Sequence, residues 1–386
     1  MTNPFTVDGD APRVALVHDY LNQYGGAERV LEHLHDMFPD APVYTSMYDA
    51  ERMPAQYRRW DIRTTFMQRL PWVTSKHQAY LLAYPMAFES LDLSGYDLVI
   101  SNSSAFCKGV VTSPETLHIC YCLTPMRWAW RYGDYVRRER LGGAVKALLP
   151  PFIHYLRMWD SSSSQRVDRF VAISNAVAAR IKKFYGREAP VIYPPVATSR
   201  FTPSGTPGDY FLKVGRLTPY QRTDLIVEAF RALGLPVKIV GDGRDRAELE
   251  ASAPPNVEFL GRVDDDRLVE LYRGCRGYLF PGEEDFGIAP VEAQAAGRPV
   301  IAYAAGGALD TVIDGQTGVL FHEQSARALT EAVRRFEGLA FDSAAIRAHA
   351  LRFDESVFRS GFLELVSNEY RQWRQHRVGG RIDRAI

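Results

Sequence analysis

Two α/β domains, each a parallel sheet with helices on both faces, are predicted by three features of this sequence. Short runs of β-favouring apolar residues alternate with helix-period patterns along most of its 386 residues, and that alternation implies parallel sheets covered by helices. The rhythm restarts after a proline- and glycine-rich stretch near the middle. The length suits two cores rather than one, and 46% hydrophobic residues can fill both.

In chain order, Arg13 to His18 (RVALVH) reads as the first strand, followed by a glycine-containing turn and a helical pattern from Ala27 to Met37. Tyr96 to Ser101, His118 to Cys122 and Arg169 to Ile173 read as further strands of the first half. In the second half the strands are Tyr210 to Val214, Val237 to Val240, Val257 to Leu260, Gly277 to Phe280 and Pro299 to Ala302. Between the halves, Tyr193 to Gly208 (YPPVATSRFTPSGTPG) has the composition of a linker. The last helical segment, Glu355 to Gln375, follows the final strand signal, and periodicity does not assign it to either domain. The expected division is 1–205 and 206–364, with a C-terminal helix over about 365–386 able to pack back on the first domain. Ligands of such sheets bind outside the carboxyl ends of the strands.

Composition excludes several classes. The 46 basic and 46 acidic side chains cancel, so no long-range attraction to nucleic acid is expected. Cys107, Cys120, Cys122 and Cys275 form no CxxC pair, and few cysteines in a large chain suit a reducing compartment. The opening MTNPFTVDGDAPR is acidic without an apolar core, unlike a signal peptide. No apolar run reaches bilayer length. The expected location is the cytoplasm, with contact at the inner face of the cytoplasmic membrane as a further expectation.

Pro281 to Ala302 (PGEEDFGIAPVEAQAAGRPVIA) is the most informative stretch. A strand ending at Phe280 delivers an acidic loop, then Phe286-Gly287, then a helix carrying Glu292, with Pro290 in its first turn and Gly297 at its end. Free N–H groups near Phe286 to Ala289 suit a phosphate or a set of hydroxyls. Glu284 and Glu292 can project into one pocket, although such acids on their own are usually solvated surface charges.

This stretch resembles the donor-site signature of retaining glycosyltransferases of family 4, two glutamates with seven residues between them around a Phe-Gly pair. Other blocks match in order. Gly25-Gly26-Ala27-Glu28-Arg29 resembles the family's glycine loop, facing the donor phosphates. YCLTPMRWAW (Tyr121 to Trp130), RMWD (Arg157 to Asp160), VAISNAVAARI (Val171 to Ile181) and VIYPPV (Val191 to Val196) resemble a mannosyltransferase-like branch. VGRLTPYQRTDLIVEAF (Val214 to Phe230), VGDG (Val240 to Gly243) and GGALDTVIDGQTGVLF (Gly306 to Phe321) complete a resemblance over about residues 12 to 375.

The resemblance implies the GT-B fold, two Rossmann-like domains facing each other across a cleft, with acceptor in the first and nucleotide sugar in the second. It implies a transferase that needs neither metal nor cofactor. By that analogy Glu284 and Arg216 are catalytic. Glu284 binds the transferred sugar and Arg216 neutralises the leaving diphosphate, a role that suits a guanidinium. Glu292 holds the ribose, the N–H groups of Phe286, Gly287 and Ile288 hold sugar and phosphate, and the main chain at Arg262 and Val263 receives the base. Gly241 follows a strand and can approach a phosphate, though GxG alone is weak evidence.

Three positions depart from the family pattern. The diphosphate-binding lysine expected five residues after Arg216 is Gln221, and the adjacent Arg222 or another cation is expected to substitute. The histidine of the YCHTP motif, which bonds the sugar's carbon-six hydroxyl, is Leu123, which suits the methyl of a 6-deoxy sugar. The acid after Pro-Pro-Val is Ala197, a change expected to affect the hinge more than the chemistry.

Other features have plainer readings. Asp264-Asp265-Asp266 resembles a metal motif but reads as a helix cap, as does Ser174-Asn175. His18-Asp19 ends the first strand, where acceptor contact and a satisfied polar pair are equally open. His118 and the thiols of Cys120 and Cys122 read as structural. Residues 127–159 combine Trp128, Trp130, Arg137, Arg138 and Arg140 with apolar Leu148, Leu149, Phe152 and Ile153, which suits either an anionic membrane surface or a core with solvated arginines.

The reading is a glycosyltransferase moving a hexose from a nucleotide sugar, GDP-mannose first, to a glycan or lipid-linked acceptor in polysaccharide biosynthesis. Alternatives are a GDP-6-deoxyhexose or UDP-sugar donor, or a catalytically weak nucleotide-sugar-binding protein. Phosphorolysis would need a cofactor-bearing lysine, and neither Lys213 nor Lys238 has that context.

Overall fold

The computed structural model describes residues 11–131, 143–203 and 205–382, without the side chains of residues 128, 143–148 and 377–382. The chain divides into two compact units. The first holds the chain to Ile173, Val177–Ile192 and the residues from Phe358 onward; the second holds Ser174–Ala176 and Tyr193–Val357.

In the first unit, β1 (Val14–His18), β2 (Val43–Thr45), β3 (Ile62–Thr64), β4 (Leu98–Ser103), β5 (Leu117–Cys122) and β6 (Arg169–Ala172) form one sheet. Its order is β3-β2-β1-β4-β5-β6, every pair parallel. Every residue of β4 and β5 is buried, as expected for central strands covered on both faces. The helix α1 (Gly26–Met37) follows β1 and buries Val30, Leu31, Leu34 and Met37, an i, i+1, i+4, i+7 stripe. The helices α2 (Gly143–Ser164) and α3 (Asn175–Tyr185) flank β6 in sequence. The C-terminal helix Glu355–Ile382 packs on this unit, with Phe358 and Phe362 each 5.6 Å from the Tyr121 ring and Glu369 paired to Arg169 at 2.9 Å.

In the second unit, β7 (Phe211–Val214), β8 (Val237–Val240), β9 (Val257–Gly261), β10 (Gly277–Phe280), β11 (Val300–Tyr303) and β12 (Gly318–Phe321) are again all parallel, in the order β12-β11-β10-β7-β8-β9. Counting strands from the start of each unit, both sheets have the order 3-2-1-4-5-6 of the dinucleotide-binding fold. Phe211, Ile226, Phe230, Leu279, Ile301, Val319, Leu329 and Phe336 form the second core.

The nine strands anticipated from sequence fall on β1 and β4 to β11. β2 and β3 have three residues each, too few for an alternating pattern to register. The segment Tyr193 to Gly208, expected as a linker, is packed on the second unit through most of its length. Val196 N donates to Phe353 O at 3.0 Å, and the Phe201 ring meets Tyr272 edge-on at 5.2 Å. Prolines give it linker composition, while Phe201 and Val196 supply buried anchors. All four cysteines are free and buried. Asp264 caps its helix as anticipated, its Oδ1 accepting from Arg267 N at 2.8 Å.

Candidate active site

The strand order of the second sheet reverses between β7 and β10, so the crevice where such sheets take ligands lies at the carboxyl ends of these two strands. Beyond β7 come Gly215, exposed Arg216 and buried Leu217. Beyond β10 come Pro281 to Asp285 and then α4, the helix Ile288–Ala295. The topology puts Arg216 and Glu284, both expected from the resemblance to be catalytic, on the two loops that leave β7 and β10.

Glycines hold these loops. A Cβ on Gly306 would lie 2.1 Å from Glu284 O, and one on Gly307 2.2 Å from Phe286 Cα. With no side chains there, Gly307 N donates to Glu284 O at 2.9 Å and fixes the loop carrying the acid. Gly287 has φ of 90°, and a Cβ there would press 2.8 Å from the Phe280 ring. Gly241, expected near a phosphate, has an evident structural role. A Cβ there would sit 1.9 Å from Gly215 O, so the glycine is required for the β8 and β7 loops to touch.

The two glutamates have different surroundings. Glu292, 7% exposed, accepts from the hydroxyl of fully buried Tyr272 at 2.8 Å. Burial, with the Glu292 charge added, pushes that phenol well up. Glu284 is half-buried and accepts from the amide Nε2 of Gln221. Gln221 Oε1 in turn accepts from Lys213 Nζ at 2.7 Å. A lysine can only donate and a carboxylate only accept, so the amide has one workable orientation between them. Lys213 is fully buried on β7, its ammonium 5.5 Å from the Phe280 ring centroid. Burial pushes it down to about 8 against the pull of Glu284.

Arg222, named as a substitute for the missing lysine, is engaged by side chains of its own unit. Its guanidinium donates to Asp224 at 3.0 Å and to Gln324 Oε1 at 3.1 Å. The cation that reaches Gln221 is Lys213, which sequence reasoning weighed only as a phosphorylase lysine and set aside. The available signal was a charged residue in the otherwise apolar run FLKV, where Phe211 and Leu212 are buried. Arg262, exposed, and Val263, half-buried, follow the carboxyl end of β9.

In the first unit, His18 is 2% exposed, with Nδ1 3.2 Å from Asn102 O and Nε2 3.4 Å from Glu28 Oε1. Asp19 is caged. Its Oδ2 accepts from Ser104 N at 2.6 Å, Ser104 Oγ at 2.8 Å and Ala105 N at 2.9 Å, and its Oδ1 from Phe106 N at 2.7 Å and Cys107 N at 2.8 Å. Both side chains of His18-Asp19 have hydrogen-bond partners within this unit. Gly25 precedes α1 in an extended conformation and Gly26 begins it, exposed. Leu123, 9% exposed, follows β5, with its N–H donating to Ser103 O at 2.8 Å.

The RMWD block is a structural hub. Asp160, fully buried, takes the Lys108 ammonium, Trp130 Nε1 at 2.6 Å and the Tyr185 hydroxyl at 2.8 Å, while Arg157 Nε donates to Ala129 O at 2.7 Å. On α2, Ile153 and Leu156 are buried, whereas Phe152, Tyr155 and Met158 are 46%, 49% and 60% exposed. Arg137, Arg138 and Arg140 lie outside the described residues, as do the side chains of Trp128 and Leu148.

Comparison with known proteins covers both units. The family description "Glycosyltransferase Family 4" matches residues 24–200, and "Glycosyl transferases group 1" matches residues 199–347. An uncharacterised glycosyltransferase of Methanocaldococcus jannaschii is 24% identical over 83% of this chain and 87% of its own length. The D-rhamnosyltransferase WbpZ of Pseudomonas aeruginosa is 30% identical over 53% of this chain and 56% of its own. A GDP-mannose-dependent alpha-mannosyltransferase of Mycobacterium tuberculosis is 38% identical over 35% of each chain. Among solved structures, Anabaena HepE in complex with UDP superposes with a TM-score of 0.67 at 18% identity, over 92% of this chain and all of that one.

Proposed function

The chain is a glycosyltransferase of the GT-B fold, and from that premise we propose a retaining, metal-independent hexosyltransferase that takes its sugar from GDP-mannose. The observation that carries this reading is the switch-point crevice between β7 and β10, with Arg216 on one bounding loop and Glu284 on the other. Cleavage of the donor's C1–O bond places negative charge on the departing diphosphate. In this reading Arg216 and the N–H groups at Phe286, Gly287 and Ile288 meet that charge, and preorganised donors of this kind lower the barrier. The acceptor oxygen attacks on the face the diphosphate leaves, which retains configuration, and its proton passes to the departing phosphate oxygen. Glu284 binds sugar hydroxyls, Glu292 the ribose, and the main chain at Arg262 and Val263 the base. The acceptor is a glycan or lipid-linked glycan.

GDP-mannose is favoured by the mannosyltransferase-like motifs and by the mannosyltransferase relative. A second reading, a GDP-6-deoxyhexose donor, is favoured by Leu123 and by the D-rhamnosyltransferase relative, since rhamnose lacks the carbon-six hydroxyl. Burying one methyl contributes about 0.8 kcal/mol, and stranding a hydroxyl costs about 1–3 kcal/mol. A thermal-shift and turnover panel of GDP-mannose, a GDP-6-deoxyhexose and UDP-sugars decides. A true donor at a hundred times its Kd adds about 2.7 kcal/mol of stability. Preference for GDP-mannose ends the second reading, whereas a preference for the deoxy sugar that Leu123→His reverses establishes it. Donor binding with no product from any acceptor would leave a binding protein.

The exposed Phe152, Tyr155 and Met158 on α2 support peripheral contact with an anionic membrane. Flotation with anionic vesicles is expected to carry the protein upward, and Phe152→Ser with Met158→Ser to reduce the floating fraction. A protein left entirely in the soluble layer would rule membrane contact out.

A further inference from the structure

Lys213 is a costly choice for its position. A lysine is rarely fully buried without a partner, and removing its charge from water is unfavourable unless hydrogen bonds and a counter-charge compensate. Here the ammonium sits under the Phe280 ring and donates to Gln221 Oε1, while Gln221 Nε2 donates to Glu284. Glu284 is the charged group among the described residues that acts on it. Nearby Tyr278 is neutral, its phenol pushed well up by burial and its hydroxyl donating to Val214 O at 2.9 Å. The local packing maintains this chain. Gly215, the second residue after Lys213, holds φ of 147°, a conformation that side-chain-bearing residues rarely adopt. Gly287 lacks the Cβ that would displace the Phe280 ring.

We propose that Lys213 is a positioning residue for the sugar-transfer site. Acting through the Gln221 amide, it orients the Glu284 carboxylate and supplies the buried positive charge opposite it. The inference rests on the reading of the β7–β10 crevice as the donor site. The amide passes the ammonium's polarity along one direction, so the Glu284 carboxylate is aimed without a cation in direct contact, and its remaining lone pairs stay available to sugar hydroxyls. The arrangement predicts a pH signature. Below pH 8 the ammonium is charged and the chain complete; as pH rises through about 8 the proton is lost and Glu284 loses its counter-charge.

The test compares wild type, Lys213→Met, the double variant Lys213→Met with Gln221→Lys, and Arg216→Ala. It follows donor kcat and KM from pH 6.5 to 10, with melting temperatures alongside. Wild type is expected to lose kcat as pH rises through 8. Lys213→Met is expected to lower kcat roughly 10- to 100-fold at pH 7 and to abolish that alkaline limb. The double variant, which returns an ammonium directly beside Glu284, is expected to recover most of the lost kcat, with its alkaline limb moved upward. A wild-type profile flat through pH 9.5 overturns the proposal, and this arm needs no variant to fold. A folded Lys213→Met enzyme with wild-type kcat also overturns it, as does a double variant that melts like Lys213→Met and regains nothing. Loss in Arg216→Ala with none in Lys213→Met ends this inference alone, whereas normal turnover in both ends the donor-site reading itself.

Discussion

Replacing Arg216 by alanine is expected to lower kcat by about 10²- to 10³-fold, the usual effect of removing one donor aimed at charge that develops in a transition state. The exposed side chain stands just past the end of β7, so its loss leaves no cavity and the unfolding midpoint should change little. Lysine in its place should recover only part of the rate, because a point charge does not reproduce the two-pronged guanidinium contact with a diphosphate. Arg222→Ala is the matched control. That guanidinium is engaged by Asp224 and Gln324, so its loss should leave kcat within a few-fold of wild type. Steady-state kinetics with a saturating acceptor separates the outcomes. An Arg216→Ala enzyme with unchanged kcat would remove Arg216 from the chemistry.

Asp19→Ala is expected to be the most damaging single substitution for stability, by about 3–5 kcal/mol. The carboxylate takes four backbone N–H groups and one hydroxyl from Ser104 to Cys107. Alanine would leave those donors unpaired, three of them in buried residues. Hydrogen bonds to a charged group contribute about 1.5–3 kcal/mol each, without simple additivity. Asp19→Asn should fall in the same direction, since its NH₂ must face N–H donors. Urea denaturation reads the effect as a lower midpoint at unchanged slope. A stable Asp19→Ala protein with collapsed turnover would instead place Asp19 in the reaction.

Much of the architecture was legible in the sequence. Buried parallel strands are near-continuous apolar runs, so β4, β8 and β10 declared themselves, and Gly287 and Gly297 marked the bounds of the helix that carries Glu292. Single residues were harder to interpret. Gly241 follows a strand as a phosphate-contacting glycine would, yet its small size is already required by the Gly215 carbonyl against it. Asp19 beside His18 looked equally suited to acceptor contact, and only the turn after β4 shows what surrounds it. The RMWD acid proved to be the centre of a buried network with Lys108, Trp130 and Tyr185.

Local pattern determined that two sheets exist, where nine of their strands run and which loop leaves each strand, because burial on both faces imposes its composition residue by residue. The tertiary structure decided what those loops face. Lys213, Gln221 and Glu284 lie on a strand, a short turn and a loop separated by up to 71 residues, and nothing in sequence spacing joins them. They meet because β10 pairs beside β7, and strand order is set by packing between distant segments, which no local periodicity encodes.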